Sequence, residues 1–103
     1  MIGPLANAAS GLFAQSRRLE AGASNIANAF TPGYAPQEVA LQEGPGGGVV
    51  AQVLPPSPSE PAPQVDIAHE LVDRLSASRA YEANLTVMKA ETERLDALFD
   101  AIG

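Results

Sequence analysis

The chain contains no cysteine and no tryptophan, and only five of its 103 residues are aromatic. Without thiols, a disulfide framework and any Cys-ligated zinc or iron–sulfur centre are excluded. Basic residues are also scarce: six Lys and Arg stand against twelve Asp and Glu, for a net charge of −6. Only Arg17 and Arg18 are adjacent, so there is no clustered cationic face to track phosphates, and no nucleic-acid partner is expected. No apolar run reaches the ~18 residues of a membrane span, so a membrane-inserted protein is not expected. The start, Met1-Ile-Gly-Pro-Leu-Ala-Asn7, has neither a basic n-region nor a compact apolar h-region. It does not read as a Sec signal peptide, so work outside the cytoplasm is expected to need another route.

Catalytic constellations are missing too. His69, the single histidine, stands between Ala68 and Glu70 in the first turn of a helical pattern and is expected to face solvent. Glu93, Asp96 and Asp100 fall at i, i+3 and i+7 on a charged helix face, which reads as a solvated surface. The glycines of Gly44-Pro-Gly-Gly-Gly48 lead into Val49-Val50, not into the Gly-Lys-Ser/Thr start of a phosphate-binding helix. There is no nucleophile–base pair, cofactor loop or metal spacing. The expectation is a protein that is not an enzyme and that uses no cofactor, metal or small-molecule substrate.

What is present is helical periodicity at both ends. Gly and Pro dominate residues 42–64, which leaves roughly 65 residues for regular structure, too few for a comfortable private core. Pro4 suits the first turn of a helix. From there Leu5, Leu12, Leu19 and Ile26 recur every seven residues, followed at four places by Ala9, Ser16, Ala23 and Phe30. Such a heptad pattern marks a helix packed along a partner helix. From residue 4 to 29 it spans ~39 Å at 1.5 Å per residue. Gly11 and Gly22 interrupt it, either as points of close approach or as tolerated weak spots. Thr31-Pro-Gly-Tyr34 then predicts a type II turn, with Pro32 at its second position and Gly33 taking positive φ at its third.

The middle holds two short β-prone runs, residues 37–42 and 49–54, around a Gly-rich connection that by itself fixes no register. They suggest a β-hairpin. A spacer with five of the nine prolines, residues 55–63, is expected to be extended polyproline II. The longest element comes last. Asp66 is a good N-cap, with Glu70 adding first-turn charge. Two apolar columns follow: Ile67, Tyr81, Met88, Leu95 and Ile102, broken by Arg74, and Leu71, Ser78, Leu85, Thr92 and Phe99. Glu70 with Arg74, and Glu91 with Arg94, are spaced as surface ion pairs. About 37 residues give ~55 Å, so this helix outreaches the first by roughly ten residues. The fold expected is mainly α: two long terminal helices packed as an antiparallel coiled-coil hairpin. It divides into residues 1–34, 35–65 and 66–103 within one structural domain. An isolated, overhanging pair is a marginal fold, so burial is expected to be completed by other chains.

Three stretches resemble the bacterial flagellar basal-body rod family. They are Ala9-Ser-Gly-Leu-Phe-Ala-Gln-Ser-Arg-Arg-Leu19, then Ala23-Ser-Asn-Ile-Ala-Asn-Ala29 with Thr31-Pro-Gly-Tyr34, and Val65-Asp-Ile-Ala-His-Glu-Leu-Val72 with Ser76-Ala-Ser-Arg-Ala-Tyr-Glu-Ala-Asn84. The last most resembles the proximal-rod members, although the middle is unusually short. The resemblance implies a structural subunit that polymerises helically with copies of itself and other rod subunits and transmits torque. It also implies passage through the flagellar type III export apparatus without a cleaved signal, and residence in the periplasm-spanning rod. On this reading the assembly interface comprises Leu5, Leu12, Leu19, Ile26, Leu71, Tyr81, Leu85, Met88, Leu95 and Phe99. Asn25, Asn28, Pro32 and Gly33 set the exit from the first helix. Asn28 reads as a helix-end residue, or else Asn25, Asn28 and Asn84 are amides that bond neighbouring backbones in an assembly. A rival of another class, a soluble cytoplasmic helical-hairpin adaptor or export chaperone, accounts for the heptads and the acidic charge but not for the paired terminal signatures.

Overall fold

The computed structural model describes residues 3–54 and 64–103, in the order α1 (Pro4–Ala27), β1 (Glu38–Glu43), β2 (Val49–Leu54) and α2 (Ile67–Ile102). The spacer expected over residues 55–63 lies outside the described residues. As the sequence suggested, the chain is mainly helical, with two helices packed on each other and a small antiparallel hairpin between them.

Pro4 opens α1, where its missing N–H leaves nothing unpaired. The helix stops two residues earlier than residue 29. Asn28 is the C-cap, and its N–H reaches back to Ser24 O at 3.0 Å. Tyr34 N–H then bonds Thr31 O at 3.2 Å, and Gly33 has φ +78°, the type II turn that the Pro-Gly pair demands. At the other terminal helix, Asp66 Oδ1 accepts from His69 N–H at 3.1 Å, a cap worth about 1 kcal/mol.

The helices run antiparallel. Asn25 meets Glu70, Arg18 meets Asp73, and Gly11 abuts Asn84, so numbers fall along one helix as they rise along the other. The buried line on α1 includes Ala8, Gly11, Gln15, Gly22 and Asn25, steps of three, four and seven that keep the seven-residue period. The face, however, is not the one the leucines implied. Leu5, Leu12, Leu19 and Ile26, read as the seam toward the partner helix, lie beside it: Leu5 is exposed and the other three are half-buried. The physical reason is size. A column of Ala and Gly lets two helices approach closely, and the polar Asn25 finds its partners only there. The buried hydrophobic residues described are all alanines: Ala8, Ala14, Ala21 and Ala77.

The hairpin pairs Val39 with Val53, Leu41 with Ala51 and Glu43 with Val49. Its register is closed by the glycines, against the expectation that they would leave it open. Gly44 N–H bonds Gly48 O at 2.9 Å and Gly47 N–H bonds Gly44 O at 3.0 Å, while Gly47 and Gly48 take positive φ. The hairpin packs on α1, mainly through β2, and Val49 N–H donates to Ser10 Oγ at 3.0 Å.

The two seam glycines should respond oppositely to alanine. A Cβ at Gly11 would fall 2.6 Å from the Asn84 amide, whereas one at Gly22 meets only Glu70 Oε2 at 3.5 Å, an ordinary contact. Overpacking at Gly11 costs about 1–3 kcal/mol and outweighs the ~1 kcal/mol of helix propensity gained. Urea titration of helicity should therefore show Gly11→Ala less stable than the parent and Gly22→Ala more stable.

Candidate assembly interface

The site is built around Asn25, 1% exposed on the last full turn of α1. Its Nδ2 donates to Gln37 O and to Glu70 Oε1, both at 2.9 Å. Its Oδ1 accepts from Gln37 N–H at 2.8 Å and from the Tyr34 hydroxyl at 2.7 Å. Two donors and two lone pairs are all an amide has, so Asn25 is saturated. Its two bonds to Gln37 imitate a β-bridge and pin the chain one residue before β1. Tyr34 spends its only proton on Asn25, so Ser24 Oγ, 3.0 Å away, donates to the Tyr34 oxygen. Asn28 works locally: Nδ2 donates to Ser24 O at 2.9 Å, and Oδ1 accepts from Thr31 Oγ1 at 3.2 Å. Asn28 through Thr31 and Asn25 through Tyr34 thus bond the two ends of the turn that holds Pro32 and Gly33, and the amide of Asn25 bonds backbone within its own chain.

Glu70 is a correction. It was expected as an exposed first-turn charge paired with Arg74, but it is 8% exposed and bonded to Asn25. Arg74 is exposed and has no ionic partner among the described residues. Glu70 shares a seven-residue column with Ala77 and Asn84, and packing turns that column, not the equally periodic Leu71–Leu85 column, toward α1. Sequence reasoning also missed Arg18, which bridges Asp73 at 2.6 Å while its other amino group donates to Gln15 Oε1 at 2.8 Å. The Glu91–Arg94 pair forms as expected, at 3.0 Å.

The remaining residues assigned to the interface divide by exposure. Tyr81, Met88 and Leu95 of α2 are half-buried. Leu71, Leu85 and Phe99 are 54%, 51% and 66% exposed. Among the described residues no group of His, Cys, Asp and Glu is placed to hold a metal, and no helix is long and apolar enough to cross a membrane.

Two helices from the chain ends, a Pro-Gly exit and an alanine core define a helical structural protein. Residues 5–34 match the family model described as flagella basal body rod protein, and residues 62–101 match that described as flagellar basal body rod FlgEFG protein C-terminal. The chain belongs to the flagellar basal-body rod protein family. Within that family it is similar to the flagellar basal-body rod protein FlgC of Yersinia enterocolitica, at 38% identity, and of Salmonella typhimurium, at 34%. FlgC of Escherichia coli O6:H1 is 37% identical. Each alignment covers 79% of this chain and 82% of the relative. The homology makes the chain a structural protein of the rod.

Replacing Asn25 tests the site's centre. Asn25→Ala removes the partner of the buried Glu70 carboxylate, at roughly 1–3 kcal/mol, and releases the backbone of the exposed Gln37 to water. Amide hydrogen exchange at Gln37 should accelerate strongly in this variant. Glu70→Gln keeps an acceptor for Asn25 and should leave that protection nearly unchanged.

Proposed function

We propose that this chain is a rod subunit that assembles helically with copies of itself and with other rod subunits, and that the assembly transmits torque. It reaches the periplasm-spanning rod through the flagellar type III export apparatus. Residues 1–34 and 66–103 act as the assembling helical unit, and residues 35–65 as its connection.

The observation that carries this reading is the state of α2. A 36-residue helix lies against one of 24, and its leucine column at Leu71 and Leu85 stands half in solvent. Exposed apolar columns on a long helix signal a partner outside the chain. Leu5, Leu12, Leu19 and Ile26 on α1, with Leu71, Tyr81, Leu85, Met88, Leu95 and Phe99 on α2, are the residues through which neighbours dock. A rod needs contacts that propagate rather than close, so each subunit presents two different surfaces.

Leu85→Asp places a charge in the proposed interface without touching the Asn25 centre. Expression of this variant in place of the parent should abolish incorporation into basal bodies and swimming. Normal assembly of the variant would refute the interface. The unaltered chain should fractionate with the cell envelope; recovery in the cytosol would favour the adaptor reading instead. Circular dichroism across a concentration series adds an independent check. Helicity should climb with concentration or on addition of other rod subunits, and high helicity independent of both would count against intermolecular completion.

A further inference from the structure

The helix pair has two sides, and the hairpin covers one. Val49 bonds Ser10 there, and Ala14 and Arg17 lie beside β2. On the other side, at ~100° per residue, Leu12 follows Gly11 round α1 and Leu71 follows Glu70 round α2. In antiparallel helices the same sense of rotation from a shared seam leads to the same side of the pair. Leu5, Leu12 and Leu19 of α1 therefore share a groove with Leu71 and Leu85 of α2. None of the described residues outside the two helices is placed over it, for about 20 Å along the pair, four turns of helix.

A second surface lies at the free end of α2. With Gly11 opposite Asn84, α1 runs out opposite about residue 91. The last three turns of α2 have no described helix beside them. There Leu95, Leu98, Phe99 and Ile102 fall at i, i+3, i+4 and i+7, one apolar stripe. Leu98, Phe99 and Ile102 are all exposed. Leu98 continues the heptad column of Ala77 and Asn84, so the stripe prolongs the face that α1 covers further up. Its flank, beside Phe99, carries Asp96. The groove's α2 wall carries Arg74, exposed and without an ionic partner among the described residues.

Resting on the assembly reading above, we propose that the free end of α2 in one copy lies in the leucine groove of the next copy of this chain. Leu98 and Phe99 enter between the two leucine columns, and Asp96 beside them faces Arg74. Groove and stripe are different surfaces, so the contact is heterologous and repeats without closing. Four side chains do not supply the ~800 Å² per partner of a stable interface, so a single contact is weak and repetition makes it effective. That weakness calls for covalent trapping.

Because the chain has no cysteine, single cysteines report unambiguously. Leu85→Cys marks the groove and Phe99→Cys the stripe. The two purified full-length variants are mixed, oxidised with copper–phenanthroline and read on a non-reducing gel. The mixture should give several-fold more disulfide-linked dimer than either variant alone. Adding Arg74→Asp to the groove variant should lower the yield, and Asp96→Arg in the stripe variant should restore it. Leu71→Cys serves as a second groove position if Leu85→Cys loses helicity. Equal yields from the mixture and the separate variants overturn the proposal, as does efficient self-linking of Phe99→Cys, which would mean that free ends pair with each other. Absence of linkage while the unaltered chain still fractionates with the envelope sinks this contact alone. A cytosolic chain sinks the rod reading beneath it.

Discussion

The amide of Asn25 is where α1, the Pro-Gly turn, the entry to β1 and the start of α2 are held together. Four hydrogen bonds converge on one buried side chain, two with the Gln37 backbone, one from the Tyr34 hydroxyl and one to the buried Glu70 carboxylate. Inside a protein an unpaired buried polar group costs about as much as several buried methyl groups gain. The arrangement is therefore close to all-or-none: the turn, the hairpin entry and the helix pair are right together or wrong together. Arg18 with Asp73 repeats the same logic two turns back along α1.

This dependence on polar contacts follows from the smallness of the core. Each alanine methyl buried is worth only about 0.8 kcal/mol, against 1–2 kcal/mol to order each residue's backbone. Four alanines cannot hold 36- and 24-residue helices in register by hydrophobic burial alone. The larger side chains sit at the edges of the pair. Leu12, Leu19 and Ile26 are half-buried, while Leu71, Leu85 and Phe99 face outward. A chain that kept its large apolar residues for itself would place them on the seam. This one puts Ala, Gly and hydrogen-bonded polar groups there and leaves the leucines beside the groove. For a member of the rod protein family, the same leucines that stabilise the chain only partly are the ones available to a neighbour.

Much of the fold was legible from local chemistry. Pro4, Asp66 and the Thr31-Pro-Gly-Tyr34 turn act through their own backbone preferences, so the helix starts and the sharp exit follow from residue types in order. The seven-residue period and the longer C-terminal helix also follow, because periodicity depends on helix geometry alone. The hairpin was legible as two β-prone runs, and the family as three motifs at opposite ends of the chain. The register of the hairpin was not, since it depends on Gly47 and Gly48 adopting positive φ together.

Tertiary structure alone decided which helix face turns inward. The leucine column and the Ala8-Gly11-Gln15-Gly22-Asn25 line have the same period, and hydrophobicity favours the leucines. Close approach of α2 and the hydrogen-bonding demands of Asn25 select the other line, and neither is a property of one helix. The same holds for Glu70. At the start of a helix a glutamate reads as solvated charge, and only the antiparallel pairing brings Asn25 to it from 45 residues away. The sequence by itself determined where the helices start and where the sharp turn falls, because those are contests between neighbouring residues. Partners across the seam were settled only when two distant segments packed, because burial and hydrogen-bond satisfaction are joint properties of both.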